Sequence, residues 1–462
     1  MRRVLIANRG EIACRIIRAC RSLGLHSIAV YSEADTRSMH VELADEAVLL
    51  GPAPARQSYL NVAAVLAAAA ASRADAIHPG YGFLSENVGF ARSVKEAGLI
   101  FVGPEPDVIA AMGDKGLARA AADRAGVPVL PGSPRFDVND RIDLDKYAVG
   151  TGFPLLVKAA GGGGGIGMRR VDRVDQLQAV VAAAQTQALR VFGGGSLYLE
   201  RMVAKARHVE VQVFGFADGR VVTFPERDCS VQRRFQKVIE ESPAPLLSEE
   251  MRRFMRTAAG RLAESVEYRG AGTVEFIADT ESERFYFLEM NTRIQVEHAV
   301  TEMVTGVDLV VLQLQLAAGV DLGGALTESP VARGHAMEAR IYAESPERGF
   351  LPSPGHLKNV TLPPADSDLR IDTGVRTGDD ITPHYDPMIA KIIAWGPDRT
   401  AARDRLLRAL AETRVEGVQT NLALLLRVIE HNFFRQGGVT TNYIELYGDQ
   451  LMSLNARPVE RA

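Results

Sequence analysis

The chain has 462 residues, a net charge of −4, 47% hydrophobic residues and 24% charged residues, a balance that suits a globular protein of about two to four domains with a large buried core. That charge argues against a protein built on bulk nucleic-acid or anionic-membrane binding. Three cysteines without a C-x-x-C pair (Cys14, Cys20, Cys229) and a longest apolar run confined to "VAAVLAAAAA" at 62–71, well short of the roughly 18 residues of a membrane span, point to a reducing, cytoplasmic setting.

The first run, "RVLIA", is too short for a signal segment and reads as a strand closed by the turn "NRG". "EIACRIIRACRSLG" follows, with Ile12, Ile16, Cys20 and Leu23 on one helical face and Gly24 as its stop. "HSIAVYS" is a strand, "LNVAAVLAAAAAS" a helix, and "ADAIHPG" a strand and loop. Such alternation implies parallel βαβ units, so residues 1–114 are expected to form a doubly wound α/β domain. From residue 115 the strands "PLLVKAA", "SLYLERMV", "HVEVQVFGF" and "RVVTFPERD" have few helices between them. This predicts an antiparallel sheet with helices at 172–189 and 248–267. A third, mixed region starts near 330, with strands "HAMEARIYAE" and "MIAKIIAWG" and a helix at 398–412. A polar, frayed tail is expected at 447–462.

The stretch "KAAGGGGGIGMRRV" (158–171) satisfies G-x-G-x-x-G at Gly162, Gly164 and Gly167. A dinucleotide fingerprint requires strand, glycine turn and helix, and "MRRV" after the glycines is β-like. A P-loop requires Lys-Ser/Thr where Met168 and Arg169 stand. What remains is a glycine hairpin. It is either an ordinary flexible loop or a lid whose bare N–H groups close over phosphate, with the Lys158 ammonium beside it.

In "TVEFIADTESERFYFLEMNTRIQVEHAVTE", two strands flank a polar turn. A hairpin symmetric about Ser282 puts Glu275 opposite Glu289, with Cβ atoms about 4.5–5.5 Å apart. Like charges facing each other are unfavourable, and a divalent cation shared with nucleotide phosphates removes the conflict. Glu289, Asn291, Arg293, Gln295 and Glu297 follow at period two. In an extended chain they share one face, opposite Met290, Ile294 and Val296.

With these residues in view, the chain resembles the biotin carboxylases of the ATP-grasp superfamily over about residues 1–446. The likeness is carried by "LIANRGEIA", "IHPGYGFLSEN", "MGDK", "VKAAGGGGGIGM", "RHVEVQV", "ERDCSVQRR", "FLEMNTRIQVEHAVTE", "HAMEARIYAE" and "LPSPG". The resemblance implies a central ATP-grasp domain at 115–330 with a glycine-rich lid at about 131–203, and a C-terminal mixed domain at 331–446. No biotinyl A-M-K-M motif and no carboxyltransferase-sized region occur. A free-standing subunit is therefore expected, one that carboxylates biotin on a separate biotin carboxyl carrier protein, works with a separate carboxyltransferase, and is typically a homodimer.

By the same resemblance, Lys115, Lys158 and the lid glycines Gly163, Gly164 and Gly165 meet ATP. Glu200, Met202 and Val203 hold adenine, while His208 and Gln232 hold the ribose. Glu275, Glu289 and Asn291 take Mg²⁺ or Mn²⁺, with two ions expected. Lys237, Arg293, Gln295 and the Val296 N–H hold bicarbonate, for which the Arg fork is suited. Glu297 is the base, Arg340 stabilises the biotin enolate, and Tyr81 lies near biotin. Of the basic run "QRRFQK", Lys237 is expected inside and at least one of Arg233 and Arg234 to be structural. Phe235 stands where the family usually has His, which removes a polar contact near the ribose and implies weaker ATP binding. Ala299 replaces the usual Pro, with a small local effect. A carboxylate–amine ligase of the same superfamily and a non-catalytic nucleotide-binding subunit are the competing readings. The final carboxyl acceptor, acetyl-CoA, propionyl-CoA, another acyl-CoA or a 2-oxo acid, stays open.

Overall fold

The computed structural model describes residues 1–452 apart from 138, 139, 141, 161–166, 193, 280 and 325. Gly163, Gly164 and Gly165 lie outside the described residues. The chain opens with β1 (Arg3–Ile6), β2 (His26–Ser32), β3 (Glu46–Gly51), β4 (Ala76–His78) and β5 (Ile100–Phe101), all parallel, in the order β3-β2-β1-β4-β5. The order reverses at β1, as the doubly wound reading requires. A short turn leads from β1 into the helix Gly10–Ser22. Gly10 makes that turn at φ +65°, a conformation that costs glycine no side-chain clash.

The strands that follow divide between two sheets. The smaller contains β6 (Leu155–Ala159), β7 (Met168–Val171) and β8 (Leu197–Arg201), antiparallel in the order β7-β6-β8. Lys158 pairs with Met168, so the glycine run joins antiparallel neighbours. Helix Leu177–Phe192 covers this sheet through Leu177, Val181, Ala184 and Ala188.

The largest sheet holds β9 (Ala206–Gly215), β10 (Val221–Thr223), β11 (Arg227–Arg233), β12 (Gln236–Ser242), β13 (Gly270–Asp279), β14 (Arg284–Asn291), β15 (His335–Tyr342), β16 (Leu369–Thr373) and β17 (Met388–Gly396). Among the described residues the order is β14-β13-β9-β11-β12-β15-β17-β16, with β10 paired to β9. The change of texture near residue 330 therefore does not break the sheet. Antiparallel pairing of β12 with β15 stitches the central strands to the later ones.

Some expectations need correction. "RVVTFPERD" is not one strand: Phe224 to Glu226 separate β10 from β11. The helix expected from 172 starts at Leu177, after a 3-10 turn at Val174–Gln176. The short helices Pro106–Gly113, Lys115–Arg124, Leu144–Thr151, His298–Thr305 and Leu309–Ala317 escape a reading based on apolar period. The tail is not frayed from 447, because Gly448–Met452 is helical and buries Leu451; residues 453–462 lie outside the described residues. The three cysteines are free and buried. Among the described residues no single helix is long and apolar enough to cross a membrane.

Glu241 of β12 anchors the seam. It faces His335 Nε2 of β15 at 2.7 Å and accepts from Arg399 Nε at 2.7 Å and Nη2 at 2.9 Å. Burial alone would raise its carboxyl, but His335 and Arg399 hold it down at about 2. Removing one member of such a buried pair costs about 3–5 kcal/mol, so Glu241→Gln is expected to lose stability of about that size at neutral pH. The folded pKa lies below the unfolded value of about 4.3. The contribution is thus complete above that value and is lost as pH falls towards the folded one. In denaturant unfolding, the gap between wild type and Glu241→Gln should stay constant above about pH 6 and narrow below about pH 4.

Candidate active site

The site is built on three neighbouring strands. β9 lies beside β13, and β13 beside β14, so that Glu210, Glu275 and Glu289 form one row across the sheet. The hairpin register is not uniform. Asp279 pairs with Arg284 and Phe276 with Phe287, a centre slightly off Ser282. A bulge that takes up Leu288 restores the Glu275–Glu289 pairing. On β9 the polar residues His208, Glu210 and Gln212 alternate with Val209, Val211 and Val213, which enter the core.

Lys237 of β12 supplies the countercharge. Its Nζ lies 2.5 Å from Glu210 Oε2, 2.8 Å from Glu275 Oε1 and 2.6 Å from Glu297 Oε1. Glu275 Oε1 also accepts from Asn291 Nδ2 at 2.9 Å and Gln295 Nε2 at 2.7 Å, and its Oε2 is 2.9 Å from His208 Nε2. Burial would raise both Glu210 and Glu275, but Lys237 holds each well below the usual carboxylate range, helped by Arg227 and His208 respectively. Burial disfavours the His208 cation, yet Glu275 raises its pKa to about 9. Glu289 is pushed up, first by burial and then by Glu275. This carboxylate set fits a hard divalent cation: all-oxygen donors, two of them on facing strand positions, with one member left short of positive charge.

The extended, one-face reading of 289–297 fails after Asn291. There β14 ends and the chain bends into the helix His298–Thr305. The polar side chains of this run converge nonetheless. Arg293 Nε donates to Glu86 Oε2 at 3.0 Å and its Nη2 to Asn291 Oδ1 at 3.0 Å. Ile294 is buried in the core. The Val296 carbonyl accepts from Lys391 Nζ at 2.6 Å, and its N–H meets no acceptor among the described residues. Glu297 lies at the start of the helix, 2% exposed, with Oε2 3.0 Å from Arg340 Nη2 of β15. Burial would raise its carboxyl, but Lys237, followed by Arg340 and Arg227, holds it at about 2.

The remaining expected residues surround this centre. Lys158 of β6 is ion-paired with Glu200 of β8. Met202 and Val203 are half-buried in the link from β8 to β9, where the Met202 N–H donates to the Pro154 carbonyl at 3.0 Å. Lys115 opens the helix capped by Asp114 and acts on Glu289 as a nearby positive charge. Gln232 Nε2 sits 3.0 Å from His208 Nδ1 and donates to the Cys229 carbonyl at 2.9 Å. The Tyr81 hydroxyl is bonded to Glu11, which also faces Lys391 at 3.2 Å. Arg233 is structural, with its Nε donating to Glu344 Oε1 at 2.9 Å. Phe235 is 61% exposed at the β11–β12 turn, where it and Arg234 both take positive φ. Ala299 is fully buried on the helix beside Glu297.

Sequence reasoning misses Arg227. Its guanidinium is fully buried and donates from Nε to Glu210, from Nη1 to Gln212 and Thr301, and from Nη2 to Thr273 and Gln295. It misses Glu210 as well, although the polar alternation of "RHVEVQV" carries a signal for it. Glu86, which accepts from both Arg293 and the Thr292 N–H, stands inside "GFLSEN" without any mark of its own.

Three family models match the chain: "Biotin carboxylase, N-terminal domain" over residues 1–109, "Carbamoyl-phosphate synthase L chain, ATP binding domain" over 114–325, and "Biotin carboxylase C-terminal domain" over 338–446. Methylcrotonoyl-CoA carboxylase subunit alpha of Rattus norvegicus is 49% identical over 97% of this chain, and the match spans only 62% of that protein's length. Biotin carboxylase 1 of Bacillus subtilis is 46% identical, with 97% of this chain and 99% of that one covered. The biotin carboxylase domain of Hydrogenobacter thermophilus 2-oxoglutarate carboxylase, solved as a dimer with MgADP, ADP and bicarbonate, superposes at a TM-score of 0.91, with 42% identity and 98% and 99% of the two chains covered.

Arg227 directs its donors into the fold, so it can be tested through stability. A lysine there keeps the charge but has a point-like head in place of the fork, and each buried acceptor stripped of its donor costs about 1–3 kcal/mol. Arg227→Lys is expected to lower the thermal midpoint clearly, and more than Arg234→Lys at the exposed turn does.

Proposed function

The chain belongs to the biotin carboxylase family, and from that premise we propose that it carboxylates biotin using ATP and bicarbonate. The carrying observation is the Lys237–Glu297–Arg340 line, an ionised base held between two cations beside the carboxylate row. Lys115 and Lys158 contact the ATP phosphates and adenine-side groups, and the lid glycines Gly163, Gly164 and Gly165 close over the nucleotide. Glu200, Met202 and Val203 bind adenine, and His208 and Gln232 the ribose. Glu275, Glu289 and Asn291 hold Mg²⁺ or Mn²⁺, which when bound spreads the charge of the transferring phosphoryl group.

Bicarbonate is held by Lys237, Arg293, Gln295 and the Val296 N–H. Its oxygen attacks the γ-phosphorus, ADP leaves, and Glu297 takes the bicarbonate proton. A base clamped at low pKa is a weak acceptor; an anion that draws Lys237 towards itself loosens that clamp as the proton moves. Carboxyphosphate then breaks its C–O bond to give CO₂ and phosphate. Phosphate takes the N1′ proton, and N1′ bonds to the CO₂ carbon. Arg340 balances the negative charge on the biotin ureido oxygen, and Tyr81 borders that end of the site.

The chain is read as an N-terminal unit at 1–114, an ATP-binding unit at 115–330 with a lid at about 131–203, and a C-terminal unit at 331–446. Its biotin sits on a separate carrier protein, and a carboxyltransferase passes the carboxyl to an acyl-CoA or a 2-oxo acid. A cytoplasmic homodimer is the expected working form, in keeping with the dimeric Hydrogenobacter relative.

The deciding assay is ADP release from Mg²⁺-ATP and bicarbonate, with and without free biotin. Turnover should require bicarbonate and rise with biotin. Glu297→Gln should lose about 10²–10⁴-fold in turnover while ATP binding, measured by calorimetry, stays unchanged; loss of binding would show that Glu297 holds the site together rather than moving a proton. Phe235→His should lower the ATP KM by about two- to tenfold, the worth of one hydrogen bond. His also tolerates the left-handed backbone at that turn better than Phe.

A further inference from the structure

Pairing of β12 with β15 sets Glu240 directly opposite Glu338. Both side chains are 0% exposed, and neither has a hydrogen-bond donor to its carboxylate oxygens among the described residues. Facing carboxylates repel, and buried polar atoms are rarely left unpaired. The nearby cations are already engaged. Arg340 Nη2 is in ion-pair contact with Glu240 Oε1 at 2.5 Å, off the line of a hydrogen bond, and also meets Glu297 at 3.0 Å. Lys391 is the leading countercharge of Glu338 but makes no ion-pair contact with it, being held at the Val296 carbonyl, Glu11 and Asp372, and Lys237 is shared among Glu210, Glu275 and Glu297.

One proton resolves both problems. It removes a charge from the pair and supplies an O–H donor to oxygens that have none. Burial pushes both carboxyls up, Glu338 well above the ordinary range and Glu240 to about 7. Glu240 touches the guanidinium and is the natural anion; Glu338 Oε1 stands off at 4.0 Å from Arg340 Nε. That Nε–H is buried and has no acceptor among the described residues. An ionised Glu338 would draw it in.

We propose that Glu240 and Glu338 share a single proton carried on Glu338, and that this carboxyl–carboxylate pair positions Arg340. Glu240 tethers Nη2, neutral Glu338 does not draw Nε–H towards itself, and the guanidinium stays against Glu297. The inference rests on the reading of Arg340 as the group that meets biotin.

Glu240→Gln, Glu338→Gln and Arg340→Ala, compared by biotin-stimulated ADP release, test it. Glu240→Gln is expected to lose roughly tenfold or more in kcat/KM for biotin, about 1.4 kcal/mol, with the ATP KM unmoved. Glu338→Gln, neutral and of the same shape, should lose several times less. The infrared difference between wild type and Glu338→Gln at neutral pH should contain the C=O stretch of a neutral carboxylic acid, shifted in D₂O. Absence of that band, or a Glu338→Gln loss equal to that of Glu240→Gln, overturns the shared proton. Full activity of Glu240→Gln beside an inactive Arg340→Ala overturns the positioning role alone. An Arg340→Ala that keeps its biotin response sinks the assignment of Arg340 itself. The infrared arm needs only wild type and Glu338→Gln, so it decides the proton even where Glu240→Gln fails to fold.

Discussion

Glutamates on adjacent strands can be buried side by side here because the Lys237 ammonium reaches into the row. At an effective dielectric of about 20, two charges about 5 Å apart repel by roughly 3 kcal/mol, while an opposite charge at about 2.7 Å attracts by roughly 6 kcal/mol. Lys237 makes such contacts with Glu210 and Glu275, so attraction wins at those two positions. Glu289 is the member of the row whose carboxyl is pushed up rather than held down. The fold therefore leaves its unmet demand for positive charge at Glu289, beside a Glu275 whose charge is already balanced, and on the proposed reading a divalent cation meets it there.

The same ammonium ties the row to Glu297. Lys237 contacts Glu297, and Glu297 contacts Arg340, so one line of alternating charge runs from β9 and β13 to β15. That line exists because the sheet is continuous. β12 contributes Lys237 and Glu240, its partner β15 contributes Glu338 and Arg340, and Glu241, His335 and Arg399 lock the two strands together. Arg227 steadies the arrangement by fixing Glu210 and Gln295 through one rigid fork.

Much of this is legible in the sequence where side-chain period carries it. The βαβ alternation, the strands on either side of the glycine run and the Glu275–Glu289 pairing are all visible. The pairing holds for a reason the sequence does not display: a bulge at Leu288 offsets a turn whose centre is not Ser282. The period-two run from Glu289 to Glu297 groups residues whose side chains do meet around Glu275 and Lys237, but through the wrong backbone, since the chain leaves the strand at Asn291 and reaches its partners through a bend. Short helices such as "KGLARAAADR" carry little apolar contrast, although the Asp114 cap that starts this one, accepting from the Gly116 and Leu117 N–H groups, is there to be read. Arg227 has no local signal at all. An arginine reads as a surface residue, and only tertiary structure brings its acceptors to it.

A site assembled this way is organised before substrate arrives. Its donors are oriented by the sheet, and charged groups that water would otherwise have to reorient are already placed, which is the condition under which electrostatic stabilisation lowers a barrier. The cost appears in three places: the Glu297 carboxylate held at low pKa, the Glu289 carboxyl pushed up in the neighbouring row, and an arginine Nε–H buried without an acceptor among the described residues. On the proposed reading each of these is relieved by a different species, namely an anion that takes up Lys237, a cation between Glu275 and Glu289, and an acceptor at Arg340. On that reading the site is complete only when all three are present together. On the proposed reading, this ties phosphoryl transfer from ATP to the presence of the group that will receive the carboxyl.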